Sequence, residues 1–149
     1  MSAHWDFRKI LAVDPDNDRL CVGYAYSRGR RCHNRVNPGD LSAASQLLNR
    51  MNRSSNIYAS TEDLRKLAAL LLCNHVHNNK KSKAYLSQVD EVYNKWSAIV
   101  EKQYVVAKKQ NDEAAMLRVQ RELSKMKENA QQMKVKLEEE RDTVCSSYI

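Results

Sequence analysis

Glycine and proline are scarce in this 149-residue chain, and both stop early. The glycines are Gly23, Gly29 and Gly39 and the prolines Pro15 and Pro38, so the last 110 residues hold no strong helix breaker. A stretch of that length rich in Ala, Leu, Lys, Glu and Gln reads as helix. Three scattered glycines cannot build a phosphate-cradling loop. Aromatic residues make up only 7% of the chain against 29% charged ones, which argues against a large globular core. No apolar run approaches the length of a membrane span; the longest, Leu67–Cys73, suits a buried turn or two of helix. The opening Met1–Lys9 lacks the basic region and long apolar stretch of an export signal. No internal repeat of solenoid period is present. The expectation is an intracellular protein, nuclear or cytoplasmic, with no membrane partner and with reduced thiols.

What the chain does have is four cysteines, three of them in its first half. They run Cys21-x10-Cys32 and then, after forty residues, Cys73-Asn74-His75-Val76-His77. Reduced cysteines beside histidines bind metal more often than they pair. Three thiols and an imidazole make a tetrahedral zinc set. Cys73 and His77 stand four residues apart, which places both on one face at the end of a helix. The preferred ligands are therefore Cys21, Cys32, Cys73 and His77, holding a structural Zn. His75 is the alternate if the helix ends early, and His33 a weaker one. A small head gains from such a staple what its thin core does not supply. Cys145, near the C-terminus, reads as an ordinary exposed thiol.

The elements expected around these residues are mainly α with a small β-hairpin. Residues 1–20 read as an irregular lead-in with a turn at Asp14-Pro-Asp-Asn-Asp18. Leu20–Tyr26 and the segment from Arg31 read as hairpin strands around Gly29, bringing Cys21 and Cys32 together. A helix over 41–53, capped by Asp40 or Ser42, carries Leu41, Ala44, Leu47, Leu48 and Met51 on one face. A second, capped by Ser60 or Thr61, carries Leu64, Leu67, Ala68, Leu71 and Leu72 and runs on to Cys73 and His77. These elements form a head over residues 1–80. Residues 81–149 form a long helical region.

Two heptad seams run along that region. One passes through Val89, Trp96 and Val100 to Leu117. The other passes through Met116, Val119, Leu123, Met126, Met133 and Leu137. They are offset by one position near Gln110–Glu113, as in a stutter within one continuous helix or a turn between two antiparallel ones. The seam residues Val89, Trp96, Val119, Leu123, Met126, Met133 and Leu137 are the candidates for self-association, as a homodimer or higher homo-oligomer, or for capture of a helical protein partner. A polar helix of this length is not stable alone in water.

The stretch Cys21–Asn34 resembles the Cys-x-x-x-Thr-x-x-Gly-x-x-Cys-x-Asn opening of a small fungal cysteine/histidine module. Ser42–Leu48 resembles that family's next helix, and Leu70–His77 its closing Leu-Cys-x-x-x-His. The likeness covers about residues 20–78. It implies the same four ligands, Cys21, Cys32, Cys73 and His77. Some members precede a GIY-YIG-like nuclease domain; here a heptad tail stands in that place, and Tyr26 and Ser27 depart from the pattern in the turn. The nuclease association is therefore not carried over.

Charge adds a second lead. Residues 1–80 hold 12 Lys/Arg against 7 Asp/Glu, and residues 81–149 hold 13 against 11, so most of the net +7 lies in the head. Arg28, Arg30, Arg31 and Arg35 cluster on the hairpin with Tyr24, Tyr26 and His33 between them, a mixture able to meet phosphates and stack bases. The same arginines can instead steady zinc-bound thiolates, whose three charges exceed the metal's two. No nucleophile–base pair or paired carboxylate pocket is evident, and a four-ligand metal site leaves no position for substrate. The expected function is a non-catalytic, zinc-stabilised interaction module without a small-molecule substrate. The alternatives are a nucleic-acid-binding protein using the basic hairpin, and a catalytic zinc with three protein ligands.

Overall fold

The computed structural model describes residues 5–54, 57, 61–74, 77 and 83–146. The chain is mainly helical with one small antiparallel hairpin, in the order α1 (Phe7–Leu11), β1 (Tyr24–Ala25), β2 (Arg30–Arg31), α2 (Pro38–Arg53), α3 (Thr61–Leu70) and α4 (Lys83–Ser146). Two units are distinguished by their internal contacts, Met1–Val105 and Val106–Ile149. The first unit therefore runs past the expected boundary at 80/81 and takes in the first part of α4.

The lead-in is more ordered than its composition suggests. Asp6 caps α1 by accepting from the Lys9 N–H, and Ala12 closes it in a left-handed conformation at φ 52°. Five residues are too few to show a helical period, which is why the sequence did not reveal α1. Tertiary contacts hold it. The Phe7 N–H donates to Asn52 Oδ1 at 2.9 Å, and Phe7 and Leu11 are buried. The Arg8 guanidinium gathers Asp14, Asp16 and Ser45, joining the Asp14–Asp18 turn to α2. The Asn17 side chain, bonded to Asp14, leads the contacts that lower the Asp14 carboxyl from its ordinary range.

The hairpin pairs Tyr24 with Arg31 and Ala25 with Arg30, and Gly29 closes its turn at φ 61°. Its strands extend less far than expected, continuing only as a bridge between Leu20 and Arg35. Asn37 caps α2 by accepting from the Gly39 N–H, with Pro38 in the first turn. The expected caps Asp40 and Ser42 instead lie inside the helix, because Pro38 suits a first helical position. Leu41, Ala44, Leu47, Leu48 and Met51 of α2 pack with Leu64, Leu67 and Ala68 of α3. Ile57, Leu71 and Leu72 complete that layer. Val89, Val92, Trp96 and Val100 of α4 are buried in the same core. Each such aliphatic side chain removed from water contributes about 1.5–3 kcal/mol.

α4 is one continuous helix, not two. Val89 and Trp96, expected on an intermolecular seam, are core residues of the first unit and are not available for self-association. From Lys108 to Ser146 every residue is exposed. Among the described residues no helix is long and apolar enough to cross a membrane.

Candidate metal centre

Cys21, Cys32, Cys73 and His77 come together, and their ligand atoms all lie within 4.8 Å of one another. Each residue is at most 5% exposed. Cys21 Sγ is 3.4 Å from His77 Nδ1, Cys73 Sγ is 3.5 Å from the same nitrogen, and Cys32 Sγ is 3.9 Å from Cys73 Sγ. None of the four cysteines is in a disulfide. Three thiols and one imidazole so placed can hold a metal ion.

Local backbone bonds explain how distant segments meet. The Cys21 N–H donates to Asn34 O and the Cys32 N–H to Gly23 O, which sets the two thiols on adjoining strands of the hairpin's open end. The Val22 N–H donates to Leu71 O, tying that end to the segment after α3. Cys73 is not on a regular helix as expected, since α3 stops at Leu70. A helix-like bond, His77 N–H to Cys73 O at 3.2 Å, preserves the four-residue relation between the two candidate ligands. His75, the alternate ligand, lies outside the described residues. His33 is exposed with its ring against the Arg30 guanidinium and does not join the cluster.

The sulfurs are also supplied with donors. The Gly23 and Cys73 N–H groups reach Cys21 Sγ at 3.3 and 3.2 Å, and Asn34 Nδ2 reaches Cys73 Sγ at 3.6 Å. Burial pushes the Cys21 thiol up to about 12; those two backbone donors pull against the rise, and the neighbouring Cys73 and Cys32 add to it. A bound cation inverts this balance, because a coordinating thiol gives up its proton. Gly23 is required by space: a Cβ there would stand 2.9 Å from His77 Nδ1 and 3.0 Å from Leu72 Cδ2. Sequence reasoning gives neither Gly23 nor Asn34 a role: Gly23 stands two residues after Cys21, the spacing at which its N–H meets that sulfur, whereas Asn34 reaches Cys73, 39 residues along the chain, and no local spacing marks it.

The four hairpin arginines separate. Arg31, exposed like the others, folds back on its own hairpin, donating to Cys21 O and Leu20 O at 3.1 Å each and pairing with Asp18 at 3.0 Å. It braces the strand that carries Cys21. Arg28, Arg30 and Arg35 are exposed. In the second unit Val119, Leu123, Met126, Met133 and Leu137 are all exposed. Comparison with protein-family models, with curated proteins and with solved structures returns no match.

Proposed function

We propose that this chain is a non-catalytic interaction protein whose head is fixed by one structural zinc and whose tail brings two copies together. The observation that carries the reading is the buried Cys3His set within 4.8 Å. Zinc at about 2.3 Å from sulfur and about 2.0–2.1 Å from nitrogen gives tetrahedral edges of about 3.8 Å between sulfurs and about 3.6 Å from sulfur to nitrogen. Three of the six separations, at 3.9, 3.4 and 3.5 Å, lie close to those edges, and all six fall within 4.8 Å, so a bound zinc would need only a small inward shift of the remaining pairs. Soft thiolates favour zinc over magnesium or calcium. The resemblance of residues 20–78 to the fungal cysteine/histidine module points to the same four ligands. With all four positions taken by protein, the metal has a structural and not a catalytic use.

Self-association is supported by the exposed Val119–Leu137 seam, whose spacing of three and four residues is that of a coiled coil, two strands being the simplest case. The deciding experiment is native mass spectrometry with elemental analysis on protein purified without chelator. One zinc per chain in a dimer is expected, with metal lost in Cys32→Ser and His77→Ala. A folded protein without metal would sink the zinc reading. A metal-loaded monomer at tens of micromolar would sink the dimer and leave the zinc.

A further inference from the structure

The metal centre leaves part of the basic hairpin without a use. The donors that reach its sulfurs belong to Gly23, Cys73 and Asn34. Arg28 has no hydrogen-bond or ion-pair partner among the described residues. Arg30 rests on the His33 ring, with no carboxylate on it. Both arginines line a cleft of about 620 Å³ that opens on the hairpin and has Cys32 and His77 in its wall. Not one of the described residues lining this cleft is acidic. Another cavity of the head, of about 630 Å³, is lined by Asp14, Asp18 and Glu91 together with Arg31 and Lys95. The two cavities are alike in size, but the second carries both signs of charge and the first carries cations alone, which suits an anionic ligand.

The cleft also carries aromatic surface. Tyr26 is 64% exposed and Tyr24 41%, with ring centroids 5.1 Å apart in an edge-to-face pair. This pair is held from α4. The Tyr26 hydroxyl donates to the Glu91 carboxylate, and the Tyr24 N–H donates to Gln88 Oε1. An aromatic ring fixed in place and open to solvent costs little to order on binding a flat partner. Phosphate-binding cations beside such a ring are the combination that grips single strands, whose unstacked bases expose their faces. A duplex hides those faces, and a phosphorylated peptide has no base to stack.

We propose that this cleft binds single-stranded nucleic acid, with Arg28 and Arg30 holding phosphates and Tyr26 stacking a base. Arg31 also lines the cleft, but its guanidinium is held by Asp18 and the backbone and is not assigned a phosphate, and Arg35 does not line the cleft. The site stands on the head alone and holds whether or not the tail self-associates.

Fluorescence anisotropy on the full-length, metal-loaded chain tests it, with labelled oligothymidylate of about fifteen nucleotides. A duplex of equal length and a doubly phosphorylated peptide serve as competitors. The single strand is expected to bind tightest. Arg28→Ala with Arg30→Ala makes the slope of log affinity against log salt shallower by about 1.4, two phosphates' worth. Tyr26→Ala weakens binding about tenfold with the slope unchanged, and Tyr26→Phe, which keeps the ring and loses the Glu91 bond, restores it. Metal content and far-UV circular dichroism verify that each variant is folded. Three results would overturn the proposal: a duplex or phosphopeptide that binds as well as the single strand, no loss in Tyr26→Ala, or an equal loss in the tail control Arg118→Ala with Arg121→Ala.

Discussion

The two stretches of α4 on either side of Val105 share one backbone and differ in everything their side chains do. From Lys83 to Val105 the apolar positions Val89, Val92, Trp96 and Val100 are buried in the head. From Lys108 to Ser146 every position is exposed, including Met116, Val119, Leu123, Met126, Met133 and Leu137. Helical period alone does not distinguish the stretches, since both repeat at three and four residues. What separates them is a change of phase: the first seam runs through Trp96 and Val100, the second through Met116 and Val119, one position out of step. The offset falls just after the boundary between the two units. A one-position offset in a three-and-four repeat turns the apolar face about the helix axis, so the two stretches present different faces.

The largest expected effect separates the stretches by metal. Cys73→Ser, or stoichiometric removal of zinc by a chelator, is predicted to unfold the head at room temperature, because structural zinc supplies about 10–16 kcal/mol of apparent binding energy in small modules. Both tryptophans, Trp5 and Trp96, belong to the first unit, so their fluorescence reports this directly. An unchanged emission spectrum after metal removal would contradict the prediction.

Next comes the packing of the first stretch. Trp96→Ala should destabilise the head by about 3–5 kcal/mol in denaturant titration. It should leave the oligomeric state in sedimentation velocity as it was. A change of oligomeric state without loss of head stability would return Trp96 to an intermolecular seam.

The reciprocal test is Leu123→Lys with Met126→Lys in the second stretch. Two charges placed on a dimer seam should weaken self-association by at least about tenfold. The thermal transition followed by tryptophan should not move. Should the head melt earlier instead, the second stretch would have a structural duty toward the first unit.

The smallest effect concerns the metal site's own geometry. Gly23→Ala drives a Cβ to 2.9 Å from His77 Nδ1, so zinc affinity should fall about 10–100-fold in competition with a chromophoric chelator. Wild-type affinity in this variant would show that His77 is not a ligand.

The candidate metal cluster was legible because its chemistry is carried by rare residues at telling intervals. Cys21, Cys32, Cys73 and His77 could be named from residue type and spacing, and α2 and α3 from their apolar faces. The cap of α2, the end of α3 and the helix α1 were not legible. Asn37 rather than Asp40 caps α2 because Pro38 fixes the first turn. α3 stops at Leu70, where Leu71 O instead accepts from Val22. α1 depends on Asn52 and on the forked bonds of Arg8, partners that lie far along the chain.

Sequence alone determined that this protein is mainly helical, with a small hairpin, a thiol-rich head and a long unbroken tail, because breakers, apolar period and ligand-type residues are local properties. Only the tertiary structure decided which seam residues are core and which are surface, and which hairpin arginines brace the fold and which stand open. Those distinctions depend on what each side chain meets across the fold. Arg28 and Arg31 sit three residues apart on one hairpin, and nothing in their spacing says that Asp18 faces only the second.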